Sequence, residues 1–508
     1  MKMYNNPVHR GFFPDPSVIR VGDYFYKVNS SFQYFPAIPI SRSKDLVHWE
    51  IVSHAIEDSS YLDLSEILDS RGIWAPDISY SNGKYYIFAP LRYNYDTKEE
   101  HPMRAQLIMW ADKPEGPYSK PVIINVDDID PSHFVDDDNK HYLLTAPGVT
   151  ITPLSDDCTA ITGDTVCIWP GTGERCSEGP HILKKDGYYY AYVAEGGTGY
   201  GHGINVARSK SLYGPYEACP YNPVMRQLDP EALIQRAGHG CLVEACDGTW
   251  WCMYLCGRRN GGNYTTLGRE TALDKVTWTD DGWFVINDGQ GPSIEAECPN
   301  MPECIYPKFT RDDFDDITLN KNWEWVRNPD ESMYSLTERK GYLRLYVTKG
   351  ILSDVSVKNT LVRRECEHIY VASCKMEFTP SDSEQAGLTC YYSTKTYASI
   401  SLRKIDGEYY IVVAANKNRG EEILDMKKCV PGIIYLKVSA DGLTRSFYYS
   451  YDNEEYTCVS QINDCTFLSD EGVIEDRKRH TGTMVGIYAN GGSNKKNFAD
   501  FDYFIYED

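Results

Sequence analysis

Five side chains able to act as acid, base or ligand recur at one position of a repeating pattern. They are Asp15 in PDPS, Asp77 in WAPD, Asp130 in DPSHF, Glu178 in SEGPH and His239 in GHGCL, each five to eight residues ahead of a turn followed by an aromatic run. Carboxyl groups gathered in one cavity cannot all ionise freely, because burial and like charge raise some of their pKa values; the asymmetry leaves one acid and one base. Hydrolysis of a glycosidic bond needs such a pair. A lone Asp beside Pro or Ser more often bonds turn amides. The shared register, with Pro14 and Pro16 around Asp15 and Gly179-Pro180 after Glu178, is what singles out these two. Asp77 reads first as a tight turn that presents Trp74, and it is carried as a candidate substrate contact. His239 has three readings: a satisfied core histidine, an axial ligand to a metal or water, or a neighbour tuning the acids.

The elements that must position these groups are legible as a repeat. A turn and an aromatic strand recur at Gly22-Asp23-Tyr24, Asn82-Gly83-Lys84, Asp138-Asn139-Lys140, Asp186-Gly187-Tyr188 and Asp247-Gly248-Thr249, spaced 60, 56, 48 and 61 residues apart. A second echo follows in three copies, as SRSKDLVHWE from Ser41, WADKPEGPYS from Trp110 and ARSKSLYGPYE from Ala207. Short aromatic and β-branched runs broken by Gly, Asn and Asp make the chain all-β, and five copies predict a five-bladed β-propeller whose first strands line a central channel. The repeat fades after Trp283, and a stretch rich in Pro, Glu and Cys runs from Pro292 to Pro307. The boundary is therefore set near residue 305, with a propeller over 1–305 and a β-sandwich over 306–508. In the second part, Tyr342 to Tyr346 and Tyr409 to Val413 read as alternating strands, and Phe501 to Ile505 as the last one.

Composition narrows the partners. Of 508 residues 42% are hydrophobic and 24% charged, values of folded protein. Fifty-one Lys and Arg against 73 Asp and Glu give a net charge of −22, which repels nucleic acid and anionic membrane surfaces. The opening MKMYNNPVHRGFF lacks an apolar segment, so a cytoplasmic location is expected. Sixteen Cys include no C-x-x-C pair, and neither Cys241 with Cys246 nor Cys252 with Cys256 has zinc-site spacing, so reduced thiols are expected. Forty Tyr and 10 Trp supply flat amphipathic rings, suited to strands and to sugar faces.

The chain resembles glycoside hydrolase family 43, in particular its two-domain β-xylosidases. The resemblance is carried by NPVHRGFFPDPSVIR, SRSKDLVHWE, GIWAPDISY, SEGPHILKKDGYYY, AEGGTGY, GHGCLVE, LGRETA, DDFDDITLN, QAGLTCYYS and FADFDYFIY, nearly end to end. It implies a concanavalin-like jelly-roll sandwich that contributes to the active-site rim. It implies Asp15 as general base, Glu178 as general acid and Asp130 as the group that orients the acid and adjusts its pKa. Arg269 of LGRETA would bind sugar hydroxyls, with Phe32 and Trp74 as aromatic walls and Thr198 of AEGGTGY as a further substrate contact. The implied reaction is inverting and exo-acting, releasing terminal β-D-xylose and α-L-arabinofuranose from short oligosaccharides, with the two carboxyls about 6.5 to 9.5 Å apart. No cofactor is required; a structural calcium ion near His239 and a homo-oligomer are candidates by likeness to relatives.

Two departures bear on substrate. The aromatic insertion that supplies a leaving-group Trp is missing from LLTAPG, residues 143–148, which makes an enzyme that is chiefly an α-L-arabinofuranosidase the main alternative. Where relatives insert a Phe from the sandwich, RKRHTGTMVGIYA places His480, so Arg477, Lys478, Arg479 and His480 would cap the sugar by hydrogen bonds or form a solvated turn. A non-catalytic carbohydrate-binding propeller is the reading from another class; a fructan-cleaving retaining hydrolase would carry an Asn-Asp-Pro-Asn-type motif absent here.

Overall fold

The computed structural model describes residues 2–99, 101–473, 480–492 and 497–508. Nearly all regular structure is β, and five antiparallel blades follow one another from the N-terminal side. Their first strands are Ser17–Val21, Asp77–Ser81, Ile129–Val135, Glu178–Lys185 and Ile234–Glu244. The repeated turns join each first strand to its second. Asn82 and Gly83 sit at φ 50° and 80°, and Asp186 and Gly187 at 50° and 79°. Left-handed pairs of this kind match the twist of a two-residue hairpin, and Asn, Asp and Gly adopt them most readily.

The aromatic strands are buried on both faces because blades stack on blades. In Tyr188–Glu195, Tyr189, Ala191 and Val193 pack against blade three, while Tyr190 and Tyr192 pack against Trp283 and Phe284 of blade five. The ring is closed by the N-terminal segment: Met3–Asn5 pairs with Glu295–Glu297, and the Phe13 amide donates to the Arg269 carbonyl at 3.0 Å. That closure brings Asp15 beside residues 254 positions away.

The C-terminal unit begins with strand Arg311–Asp312 and is a sandwich of two eight-stranded sheets. Phe498–Glu507 lies inside one sheet, between Leu343–Tyr346 and Ile369–Phe378. Leu343–Tyr346 alternates buried and open positions as the sequence pattern predicts, and Ile369–Phe378 alternates in the same way. Glu408–Lys417 does not, since Ile411 to Ala415 are all buried. The same holds for Gln385–Ser393. Ala386, Leu388, Cys390 and Tyr392 face the sandwich core, while Tyr391 on the opposite face packs with Phe12, Phe32 and Tyr34 of the propeller. A sheet covered on both sides has no polar face to write into its sequence.

The two units share a sheet. Tyr34–Phe35, from blade one, pairs with Glu324–Val326 and becomes the edge strand of the sandwich. Buried cations reinforce the contact: Arg364 bonds Glu324 at 2.8 Å and the Phe12 carbonyl at 2.6 Å, Arg258 bridges Glu270 and Glu367, and Arg236 meets Asp470 at 2.9 Å. Removing one partner of such a pair strands a buried charge and typically costs about 3 to 5 kcal/mol. Among the described residues, no helix is long and apolar enough to cross a membrane.

Beside these pairs the backbones touch at two glycines. A Cβ on Gly482 would lie 2.3 Å from the Leu267 carbonyl oxygen, and one on Gly268, at φ 74°, would lie 2.6 Å from the Gly482 Cα. Gly482→Ala is therefore expected to destabilise by about 1 to 3 kcal/mol, read as a lower melting temperature by calorimetry. Gly83→Ala, where the added Cβ meets nothing within 4 Å, should lose only the roughly 1 kcal/mol of a strained φ. Equal melting temperatures for the two variants would contradict the close approach.

Candidate active site

The inner strands break register where the chemistry-bearing residues sit. Bulges fall between Ile129 and Ser132, between Glu178 and His181, and on both sides of Gly238. A bulge adds a residue and re-aims its side chain, here off the strand and into the ring. The backbone is strained at two of these places, Asp130 and His239, and at three other positions of the site. Asp15, Phe32, Asp130, His239 and His480 have φ of 52°, 50°, 54°, 48° and 58°, a region non-glycine residues seldom occupy.

Asp15 is buried and gripped. Arg269 Nη1 donates to its Oδ1 at 2.7 Å and Nη2 to its Oδ2 at 3.2 Å, while the Ser30 hydroxyl donates to Oδ2 at 2.5 Å. Burial alone would raise this carboxyl. Arg269 first, then His239, Ser30 and His480 outweigh burial and hold it below the ordinary aspartate value. Arg269 is itself held by the sandwich, since its Nη2 donates to the His480 carbonyl at 3.3 Å.

Glu178 is poised the opposite way. Its carboxyl is pushed up to about 8, by burial first and then by the charges of Asp130 and Asp15, against smaller opposing effects of Arg269 and Arg175. Asp130 accepts the Gly179 amide at 2.9 Å, so it grips the backbone next to Glu178. Burial raises Asp130 too, with His239 pulling it down and Asp15 pushing it up. His239 Nδ1 lies 3.7 Å from Asp15 and 4.0 Å from Asp130, joining the two. The site thus holds one carboxyl kept ionised and one kept protonated near neutral pH.

Aromatic surface borders the acids. Phe32 lies 6.3 Å from Trp74, centroid to centroid, and the Arg269 guanidinium sits 5.8 Å over the Phe32 ring. The Trp74 indole is fixed by donation to the Ser70 carbonyl at 2.9 Å.

Family models match both units: "Glycosyl hydrolases family 43" over residues 4–284 and "Beta xylosidase C-terminal Concanavalin A-like domain" over 311–507. The chain belongs to glycosyl hydrolase family 43. It is 35% identical to a xylan 1,3-beta-xylosidase of Vibrio sp, over 99% of this chain and 98% of that protein. It is 34% identical to a non-reducing end alpha-L-arabinofuranosidase of Bacteroides ovatus, over 99% and 94%. Among solved structures, a GH43 protein of Bacillus licheniformis is 55% identical over the whole of both chains, with a TM-score of 0.97.

Within this family 43 glycosidase, the residues singled out in the sequence meet different fates. Asp15, Asp130, Glu178, His239, Arg269, Phe32 and Trp74 come together. Asp77, carried as a candidate substrate contact, is spent on the fold. Its carboxylate accepts the Ser17 hydroxyl at 2.6 Å and the His133 amide at 2.8 Å, tying three blades together, and burial pushes it up to about 7. Thr198 keeps a buried hydroxyl with no hydrogen-bond partner among the described residues. His480 reaches the site through its carbonyl; its amide donates to Asp470 at 2.7 Å, and burial lowers the ring to about 4. Arg477, Lys478 and Arg479 lie outside the described residues.

A calcium ion on the axis finds a poor donor set. Calcium takes about six to eight oxygen ligands, whereas His239 offers nitrogen, and the facing oxygens of Asp15 and Asp130 already accept from Arg269, Ser30 and Gly179. The expected axial calcium therefore does not fit direct coordination by these residues.

Two functional neighbours escaped the sequence reading. Ser30 stands two residues before Phe32, in a motif already singled out for its ring. His202 follows AEGGTGY; its Nδ1 faces the Arg236 carbonyl at 2.9 Å, and its buried Nε2, with no hydrogen-bond partner among the described residues, lies 3.7 Å from Glu178. Burial lowers His202 to about 3, so the ring is neutral and its Nε2 presents a lone pair to the protonated acid. Nothing in the spacing of His202 marks it, because only the fold sets it against Glu178.

Arg269→Met leaves Asp15 buried without its main counter-charge. The Asp15 titration midpoint should rise by about one pH unit or more, as followed by carbon NMR of the labelled carboxyl; an unmoved midpoint would show that Arg269 does not set it.

Proposed function

We propose that this family 43 glycosidase is an inverting, exo-acting enzyme that releases terminal β-D-xylose, and also α-L-arabinofuranose, from short xylo- and arabino-oligosaccharides. The observation that carries this reading is the opposed poise of Asp15 and Glu178 in one ring. A protonated Glu178 donates to the glycosidic oxygen as the bond to the anomeric carbon breaks. Ionised Asp15 takes a proton from a water that attacks that carbon from the other side, and configuration inverts. Asp130 keeps Glu178 protonated by its charge and orients it through the Gly179 amide.

The pentose assignment is supported by the relatives named β-xylosidase and arabinofuranosidase. Exo action is supported by the rim: His480, Asp470 and Arg236 close one side of the ring from the sandwich boundary, which suits one terminal sugar. A second reading, chiefly α-L-arabinofuranosidase, is favoured by the hairpin between His141–Ala146 and Val149–Pro153. It is a bare Pro147-Gly148 turn with no aromatic side chain to offer a leaving group. Paired kinetics on nitrophenyl β-D-xylopyranoside and α-L-arabinofuranoside separate the two readings, and proton NMR of the first anomer released from a xyloside tests inversion. Initial release of β-xylose would refute it.

Asp15→Ala and Glu178→Ala should each lower kcat by at least about 100-fold with the fold retained. The profile of kcat/KM against pH should be a bell. Activity needs Glu178 protonated, so it falls as pH rises through about 8. It needs Asp15 ionised, so the acid limb falls only below the ordinary aspartate range. Asp130→Asn removes a charge that raises Glu178, and the alkaline limb should move to lower pH; a limb that stays in place would assign the Glu178 shift to burial and Asp15 without Asp130.

A further inference from the structure

Between blades two and three, away from the acids, three potential metal ligands converge. His133, in strand Ile129–Val135, and His141, which opens the next strand, approach at 2.9 Å between Nε2 and Nδ1. Cys158, on the loop after Val149–Pro153, brings its Sγ within 3.2 Å of that His141 nitrogen and 3.7 Å of the His133 nitrogen. Cys158 and His141 are buried, 0% and 1% exposed, and Phe88 stacks on His133 at 4.7 Å while Tyr86 meets it edge-on. A tetrahedral ion with bonds of about 2.05 Å to nitrogen and 2.3 Å to sulfur separates its ligands by about 3.3 Å between nitrogens and 3.6 Å between nitrogen and sulfur. The three distances fall within about half an ångström of those values.

The groups behind the ligands are also arranged as a metal site requires. The Ser79 hydroxyl lies 2.7 Å from His133 Nδ1, where its oxygen can accept an Nδ1–H and leave Nε2 bare toward the cluster. Asn82 stands 3.3 Å from His141 Nε2, and turning its amide presents an oxygen to an Nε2–H, freeing Nδ1 in the same way. Both second partners come from blade two and all three ligands from blade three.

We propose that His133 Nε2, His141 Nδ1 and Cys158 Sγ form a zinc site that pins the inner hairpin of blade three to its returning loop, with water as the fourth ligand and with Ser79 and Asn82 of blade two behind the histidines. Two imidazoles and a thiolate select a borderline-soft ion of this kind over calcium or magnesium. Binding forms one Zn–S and two Zn–N bonds, and the Cys158 proton leaves to water. The strand holding His133 also holds Asp130, and its His133 amide is bonded to Asp77. The ion would brace a strand of the active ring without entering it.

Metal-free full-length protein given one equivalent of Zn2+ tests this by X-ray absorption at the zinc edge. The expected first shell holds one sulfur and two imidazole nitrogens, and this readout needs no variant. Zinc should also raise the melting temperature by about 2 °C or more. Co2+ as the probe should give a sulfur-to-cobalt charge-transfer band, lost in Cys158→Ser and His141→Asn and kept in Cys246→Ser, which changes an exposed cysteine. Ser79→Ala should weaken Zn2+ binding by about tenfold or more. A zinc shell without sulfur, a band that survives Cys158→Ser, or no stoichiometric uptake would overturn the site, leaving a hydrogen-bonded core chain from Asn82 through both histidines to Ser79.

Discussion

The buried ion pair between Arg269 and Asp15 is the constraint on which the rest of the site depends. Asp15 comes from the start of the chain, Arg269 from the last blade, and the carbonyl that steadies Arg269 from the sandwich. Three distant segments must dock before one buried carboxylate can be held ionised. Without that charge, neither a base nor part of the field that keeps Glu178 protonated would exist. The glycine contact at Gly268 and Gly482, immediately beside Arg269 and His480, sets the distance over which this works.

Opposed pKa values inside one ring follow from differences in partners, since the three acids are all largely buried. Asp15 has a cation in bidentate contact. Asp130 has one backbone amide and a share of His239. Glu178 has like charges and a neutral imidazole. The same burial that raises all three is overcome only where a guanidinium is supplied. Left-handed backbone at Asp15, Asp130 and His239 costs free energy, and the stacked blades and shared sheet supply the packing that keeps it in place. Strain gathered at the acids is consistent with a ring built to aim them rather than to be most stable.

The sandwich helps hold the gathered residues in place. Its edge strand is Tyr34–Phe35, two residues beyond Phe32, so the aromatic wall and the second domain are fixed by one piece of backbone. Arg327 and Asp69, bonded at 3.0 Å, and Asp69 with Thr394 at 2.5 Å secure the same corner. A propeller separated from its sandwich would lose the His480 carbonyl and the strand partner of Tyr34 together.

The sequence by itself determined the five-fold repeat, the all-β class and three of the acids that the ring gathers. Turn residues with left-handed preference and aromatic strands are local signals, repeated five times, and each acid lies five to eight residues ahead of its turn. Tertiary structure alone decided which acid is ionised, because that depends on Arg269 lying 254 residues from Asp15 and on burial no local pattern records. It withdrew Asp77 into the fold by giving its oxygens to Ser17 and His133, set His202 against Glu178, and brought His480 in by its carbonyl. It also hid alternation in Gln385–Ser393, whose second face is covered by the propeller. Likewise, no zinc-like spacing joins His133, His141 and Cys158, since their meeting is a product of a hairpin and a returning loop. Local chemistry writes elements into a sequence; partners from remote segments are chosen only when the ring closes.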